Sequence, residues 1–393
     1  MKTFCVQTAA LVVTALLAVP GDWAFAQSAR GVTATEIKIG TQDDLSGPIV
    51  FWGQPMRNGK ILRIEEQNAK GGVHGRKITL IGEDNGYDPK KGVLAVQKLI
   101  QQDQVFAIVG TLGTPIAMAT MPIVLEAGVP HMYPGTNHRA MYEPFHKHKF
   151  SMAAPYDHQM RVAVEYLVNN RGKKRLAIMY QDDEFGKELR EAAEMQAKKM
   201  NIPVVAVTSY KRGDTSFSSQ VARMRQADAD LIVAGTVVRE TAGLGVELKK
   251  VGWKVDVVGS AAACNPGVAA IGKDAVEDFY IQCQYVPFDS ATATPELRDW
   301  IKRYQDRFGR APDSAAAIGW DMMDLLIAGL EKAGRNLTID SFIAGSEQIR
   351  NHPNLFAAPL MSFGPDRRLG TQGFVLTQIK DGKFNRVSGT LGE

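Results

Sequence analysis

The chain has 393 residues, with 46 Lys and Arg against 42 Asp and Glu, a formal net charge of +4, and 45% hydrophobic residues. That near balance, without any long run of Lys or Arg, excludes a nucleic-acid-binding protein that works through a basic patch. The length exceeds what a single core usually supports and predicts two domains.

Residues 1–26 have a basic start at Lys2, an apolar run over residues 9–19 and the small-residue pattern Ala24-Phe25-Ala26 before Gln27. This pattern predicts a cleaved secretory signal peptide. The run is shorter than the roughly 18 to 20 apolar residues of a membrane helix, and no later stretch approaches that length. Cys5 precedes the run and no Cys follows it closely, so the expectation is free release into the periplasm and not a lipid anchor. Cys264 and Cys283 remain after processing; an oxidising compartment permits them to pair, and two buried thiols are the alternative.

From there, strand and helix patterns alternate almost to the end, the signature of parallel sheets with crossover helices. Residues 36–39 and 78–80 alternate, and residues 105–109 form an apolar run suited to a strand covered on both faces. Val93, Val96 and Ile100 share a helical face. A second series starts near Tyr156, with a helix carrying Met160, Val164 and Leu167 and strands at residues 176–180 and near Val204, Leu231 and Val255. Phe217, Val221 and Met224 mark another helix, and two more are predicted over residues 295–308 and 314–332. The fold class is therefore α/β, with two Rossmann-like lobes of parallel sheet flanked by helices.

Open sheets of this kind place ligands beyond the carboxyl ends of their strands, where helix-start N–H groups face the crevice. The turn Gly110-Thr111-Leu112-Gly113-Thr114-Pro115 fits that location, with Thr114 expected as helix N-cap and Pro115 at the first helical position. On spacing alone an ordinary capped helix start is the favoured reading over a ligand site. A predicted strand over residues 129–133 leads into Pro134-Gly135-Thr136-Asn137, a turn of the same kind.

The stretch over residues 68–114, NAKGGVHGRKITLIGEDNGYDPKKGVLAVQKLIQQDQVFAIVGTLGT, and AAIGWDMMDLLIAGLEKAG near the end resemble the Leu/Ile/Val-binding class of periplasmic solute receptors, the type I periplasmic binding proteins. The resemblance implies an ABC-importer receptor whose chain crosses between lobes three times. Residues 27–155 and 284–358 would then form one lobe, and 156–283 and 359–393 the other. Leu45-Ser46-Gly47-Pro48 matches the family's first loop. The turn with Leu112, Gly113 and Thr114 corresponds to the one that holds the ligand carboxylate, and Gly135, Thr136 and Asn137 to its neighbour. Trp52 and Phe185 fall where aromatic residues cover the ligand, Tyr156 at the entry to the second lobe, and Thr236 and Ala261 at its strand ends.

Amino-acid receptors of this class neutralise the ligand ammonium with a second-lobe acid, where this chain has Ser260-Ala261-Ala262-Ala263. The other acidic position aligns with Tyr156, beside Asp157. A buried ammonium with no counter-charge costs several kcal/mol. The expected ligand is accordingly a small carboxylate without an α-amine, with Tyr133, Tyr156, Phe185 and Trp52 pointing to an aromatic acid. A branched-chain amino acid neutralised by Asp157 or Glu240, an amide or urea, and a sensory role beside a membrane kinase are the alternatives. Arg239 would be either a further cation or a solvated helix-start residue.

There is no Gly-x-Ser-x-Gly, Walker or His-Glu-x-x-His signature. No cofactor and no metal are expected, the five histidines between residues 131 and 158 lacking ligand spacing. Asp182-Asp183-Glu184 reads as an acidic helix start. The predicted partners are a small-molecule ligand and a membrane permease, with the chain a monomer.

Overall fold

The computed structural model describes residues 1, 3, 29–288 and 293–393. Apart from residues 1 and 3, the predicted leader lies outside them. The first sheet is built from β1 (Glu36–Asp43), β2 (Lys77–Asp84), β3 (Ala107–Val109), β4 (His131–Met132) and β5 (Lys149–Phe150), in the order β2-β1-β3-β4-β5, with every pairing parallel. Between these strands run α1 (Val50–Ala69), α2 (Pro89–Gln101) and α3 (Thr114–Glu126). Parallel neighbours need such crossovers, because no tight turn can return a chain to the same end of the sheet.

The second lobe begins with α4 (Tyr156–Arg171), β6 (Leu176–Gln181), α5 (Glu184–Lys199), β7 (Val204–Tyr210), α6 (Ser218–Gln226), β8 (Leu231–Gly235), α7 (Val238–Lys250), β9 (Asp256–Gly259), α8 (Pro266–Gly272) and β10 (Tyr280–Cys283). The chain then adds α9 (Pro295–Phe308), α10 (Ser314–Ala333) and α11 (Ile339–Ser346) beside the first lobe, and returns for β11 (Phe374–Lys380) and β12 (Lys383–Leu391). The second sheet runs β12-β11-β10-β9-β8-β6-β7, parallel except for the two pairings of β11. All six residues of β6 and all five of β8 are buried, as expected of strands covered by helices on both faces.

The late helix α10 packs along α1, and the close crossing depends on missing side chains. A Cβ on Gly59 would lie 2.0 Å from the Ala316 carbonyl oxygen, and one on Gly319 would lie 1.9 Å from that of Met56. This contact welds residues far apart in sequence into one lobe.

Three extended segments join the lobes and are bonded to each other. The Ser151 N–H donates to the Arg368 carbonyl at 2.8 Å, and the Gly370 N–H donates to the Ser151 carbonyl at 2.8 Å. The Gln284 side chain accepts from the Ala154 N–H at 3.3 Å and donates to the Met152 carbonyl at 3.4 Å. Cys264 and Cys283 form a disulfide with Cα atoms 5.5 Å apart, fastening the turn after β9 to the end of β10.

Two predicted strands are shorter than their apolar runs. Of residues 129–133 only His131 and Met132 are strand, because Tyr133 turns away with φ +49°. Of residues 105–109 only the last three pair as β3.

Candidate ligand-binding site

A cavity with about 780 Å³ of atom-free space, partly open to solvent, lies between the lobes at the carboxyl ends of their strands. Ten of the eleven predicted site residues line it: Trp52, Leu112, Gly113, Thr114, Gly135, Thr136, Asn137, Tyr156, Phe185 and Ala261. Thr236 does not. Its buried hydroxyl bonds that of Thr241 at 2.6 Å, and its carbonyl accepts from Ser260 Oγ at 2.9 Å; the next residue, Val237, reaches the cavity instead. Successive side chains in extended backbone face opposite ways, so a one-residue difference changes which of them meets the ligand space.

The first turn is built by its glycines. Gly113, not Thr114, is the N-cap of α3, with φ +99°. A Cβ there would also lie 2.7 Å from the Tyr87 ring. Thr114 and Pro115 are therefore the first two helical residues, and the Thr114 hydroxyl meets that of Thr136 at 2.6 Å. Thr136 Oγ1 also accepts from the His138 N–H at 3.3 Å. Among the described residues, the N–H groups of Thr114 and Thr136 have no main-chain partner.

Beneath this turn Lys60 and Asp43 form an ion pair of 2.7 Å, both fully buried. Lys60 Nζ also donates to Thr41 Oγ1 at 2.6 Å and to the Gly110 carbonyl at 3.2 Å, holding the strand end in place. Desolvation favours the neutral form of both partners. The close donors and acceptors around them favour the ion pair.

The aromatic walls come from both lobes. The Trp52 indole N–H donates to the Ala262 carbonyl across the lobes at 3.0 Å. Tyr156 and Phe185 meet edge to face with ring centroids 5.2 Å apart. Tyr87, Tyr285 and the methionines Met56, Met152 and Met322 complete much of the lining. Their apolar spacing did not separate them from core residues in the sequence. Tyr133, by contrast, is fully buried against Phe363, with ring centroids 5.7 Å apart, and is not part of the wall.

None of the lining residues is Asp, Glu, Lys, Arg or His. Asp157 pairs with Arg161 at 3.2 Å, and Glu240 is buried away from the cavity, so neither supplies an acid to the wall. Arg239 lies over the Phe51 ring at 5.6 Å and is exposed. Asp183 caps α5 by accepting from the Phe185 and Gly186 N–H groups at 3.1 and 3.3 Å.

Helix starts instead bring partial charge to the cavity wall. The α3 and α4 helices begin on its wall at Thr114 and Tyr156, and α7 begins just past the lining residue Val237; none carries a side-chain cap, and α4 and α7 hold Asp157 and Glu240 in their first turns. Uncapped helix starts present partial positive charge to whatever lies in front of them.

Two titratable clusters lie close by. Glu188 Oε1 accepts from the Arg139 N–H at 2.8 Å, and Oε2 is 3.8 Å from His138 Nε2. Burial pushes the Glu188 carboxyl up to about 8 and the His138 imidazole down to about 4, so at neutral pH this is a contact of two uncharged groups and not an ion pair. Tyr285 donates to the buried Asp321 at 2.5 Å, where burial raises the carboxyl to about 7. Asp324, next on α10, binds Arg63 at 2.6 Å and His352 at 2.8 Å. Asp321, Asp324 and His352 could converge on a cation. These bonds already occupy most of their ligand atoms.

Known proteins share this architecture. A family model described as periplasmic binding protein matches residues 36–383. Leu/Ile/Val-binding protein homolog 3 of Brucella melitensis biotype 1 is 24% identical over 350 residues, 89% of this chain and 93% of that protein. A fatty acid ABC transporter substrate-binding protein from Thermomonospora curvata superposes with a TM-score of 0.83 at 24% identity, over 93% of this chain and 95% of its own. A branched chain amino acid ABC transporter from Thermus thermophilus with bound valine gives a TM-score of 0.82 at 18% identity, over 92% of this chain and 98% of its own. The chain belongs to the periplasmic binding protein family, with the Leu/Ile/Val-binding proteins among its relatives.

Proposed function

We propose that this protein is the solute receptor of an ABC importer, released into the periplasm by cleavage of residues 1–26. Its lobes, residues 27–155 with 284–358 and residues 156–283 with 359–393, close on a small aromatic carboxylate without an α-amine. The closed monomer is then presented to a membrane permease. It is not an enzyme.

The observation that carries this reading is a cavity wall without any charged side chain, onto which three uncapped helices open. A carboxylate gains from that field, from the free N–H groups of Thr114 and Thr136 and from their hydroxyls. An ammonium meets the wrong sign of potential and no counter-ion, a cost of several kcal/mol. Trp52, Tyr156 and Phe185 supply flat apolar walls for a ring.

The methionine-rich side of the wall favours an aliphatic acid as the second reading, since Met adapts to irregular apolar shapes. The likeness to a fatty acid receptor runs the same way.

A thermal-shift panel tests both readings, using benzoate, 3-phenylpropanoate, keto acids, short fatty acids, leucine, valine and short amides. A ligand at about 100 times its Kd adds roughly 2.7 kcal/mol of stability. Stabilisation by leucine or valine and by no aromatic or aliphatic acid would overturn the proposal.

A further inference from the structure

Tyr87 sits in the turn Asn85-Gly86-Tyr87 after β2, with φ +55°, a conformation a bulky residue rarely adopts. The turn is held by its own lobe: the Tyr87 N–H donates to Asn85 Oδ1 at 2.9 Å, and Asn85 Nδ2 donates to the Leu112 carbonyl at 3.1 Å. Its outward contacts all reach the other lobe. The hydroxyl accepts from Gln181 Nε2 at 3.0 Å, the carbonyl accepts from Arg212 Nη1 at 3.0 Å, and the Arg212 guanidinium lies 5.5 Å from the ring centroid.

The receiving groups also hold one another. Gln181 donates to Asp183 Oδ2 at 2.6 Å and accepts from the Tyr210 hydroxyl at 3.3 Å. Arg212 Nε lies 3.7 Å from Asp183 Oδ2. These second-lobe contacts do not involve Tyr87, so the cradle is braced from within its own lobe. Docking a rigid turn into a braced cradle costs little ordering entropy.

From this geometry we infer that Tyr87, received by Gln181 and Arg212, is the latch that holds the lobes closed and couples closure to the ligand. The coupling is direct. Tyr87 and Phe185 both line the cavity, and Asp183 caps the helix that carries Phe185 while bracing Gln181. The inference rests on lobe closure as proposed above, not on the ligand's identity. Arg212 lies outside the cavity lining, so its replacement changes closure without removing a ligand contact.

Small-angle X-ray scattering of the full chain tests the latch on Arg212→Ala, Tyr87→Phe and Arg212→Lys, each without ligand and through a titration with 3-phenylpropanoate. Arg212→Ala and Tyr87→Phe are expected to show a larger radius of gyration without the acid. Both should need about three- to tenfold more acid to reach the compact form, the effect of losing one or two hydrogen bonds. Arg212→Lys, which keeps the charge, should fall between Arg212→Ala and the unaltered chain. Unchanged unfolding midpoints would show that the variants fold normally. If the acid compacts none of the proteins, the aromatic-acid reading fails and the acid-free profiles still decide the latch. Acid-free profiles of Arg212→Ala and Tyr87→Phe that superimpose on that of the unaltered chain would overturn it.

Discussion

Lys60 is fully buried, and its charge is tolerated because Asp43, Thr41 and the Gly110 carbonyl surround it. Replacing it with Met leaves the Asp43 carboxylate buried and alone, which costs about 3 to 5 kcal/mol. Denaturant unfolding of Lys60→Met should show that loss, and the double variant with Asp43→Leu should recover most of it. Ala261 offers a test of the site itself, because it lines the cavity where no acid is present. Ala261→Glu is expected to weaken acid binding at least about tenfold, or about 1.4 kcal/mol. Unchanged affinity by calorimetry would mean that residue 261 does not face the ligand. Sequence pattern pointed to Thr114 and Thr136, but their shared hydroxyl contact depends on two turns being brought side by side. Tyr87 carried no signal at all, since its role comes from a left-handed backbone that neither periodicity nor composition records.

At the scale of elements, the long helices and buried strands were legible, because a 3.6-residue or continuous apolar pattern decides them locally. The ends were not. Gly113 takes the cap expected of Thr114 because a positive φ and the Tyr87 ring both require glycine, and Tyr133 leaves β4 early for the same kind of backbone reason. The contact of α5 with the loop after β4 makes a further prediction, as Glu188 is held neutral there beside His138, near Arg139, Asp157 and Glu191. Its carboxyl titrates near pH 4.5 when unfolded and near pH 8 when folded, so the folded state binds the extra proton between those values. Stability from this group is present below pH 4.5 and falls as pH rises to about 8. Glu188→Gln keeps the acceptor for the Arg139 N–H and removes the titration. Urea midpoints at pH 5 and pH 8.5 should therefore differ less in the variant than in the unaltered chain.

At the scale of the molecule, alternating strands and helices and the family wording indicated two lobes and the missing acid at residues 260–263. They did not show that the whole lining is uncharged, or that α3, α4 and α7 open onto it uncapped, because each depends on where distant segments meet. In the proposed function that arrangement selects an anion without a cation. The pair 3-phenylpropanoate and phenylalanine differs only in the α-amine and so isolates the selection. Isothermal titration calorimetry of both is the direct test: the acid should bind, and phenylalanine should bind at least about 100-fold more weakly, a difference of roughly 2.7 kcal/mol. Phenylalanine binding as tightly as the acid, or more tightly, would contradict the account.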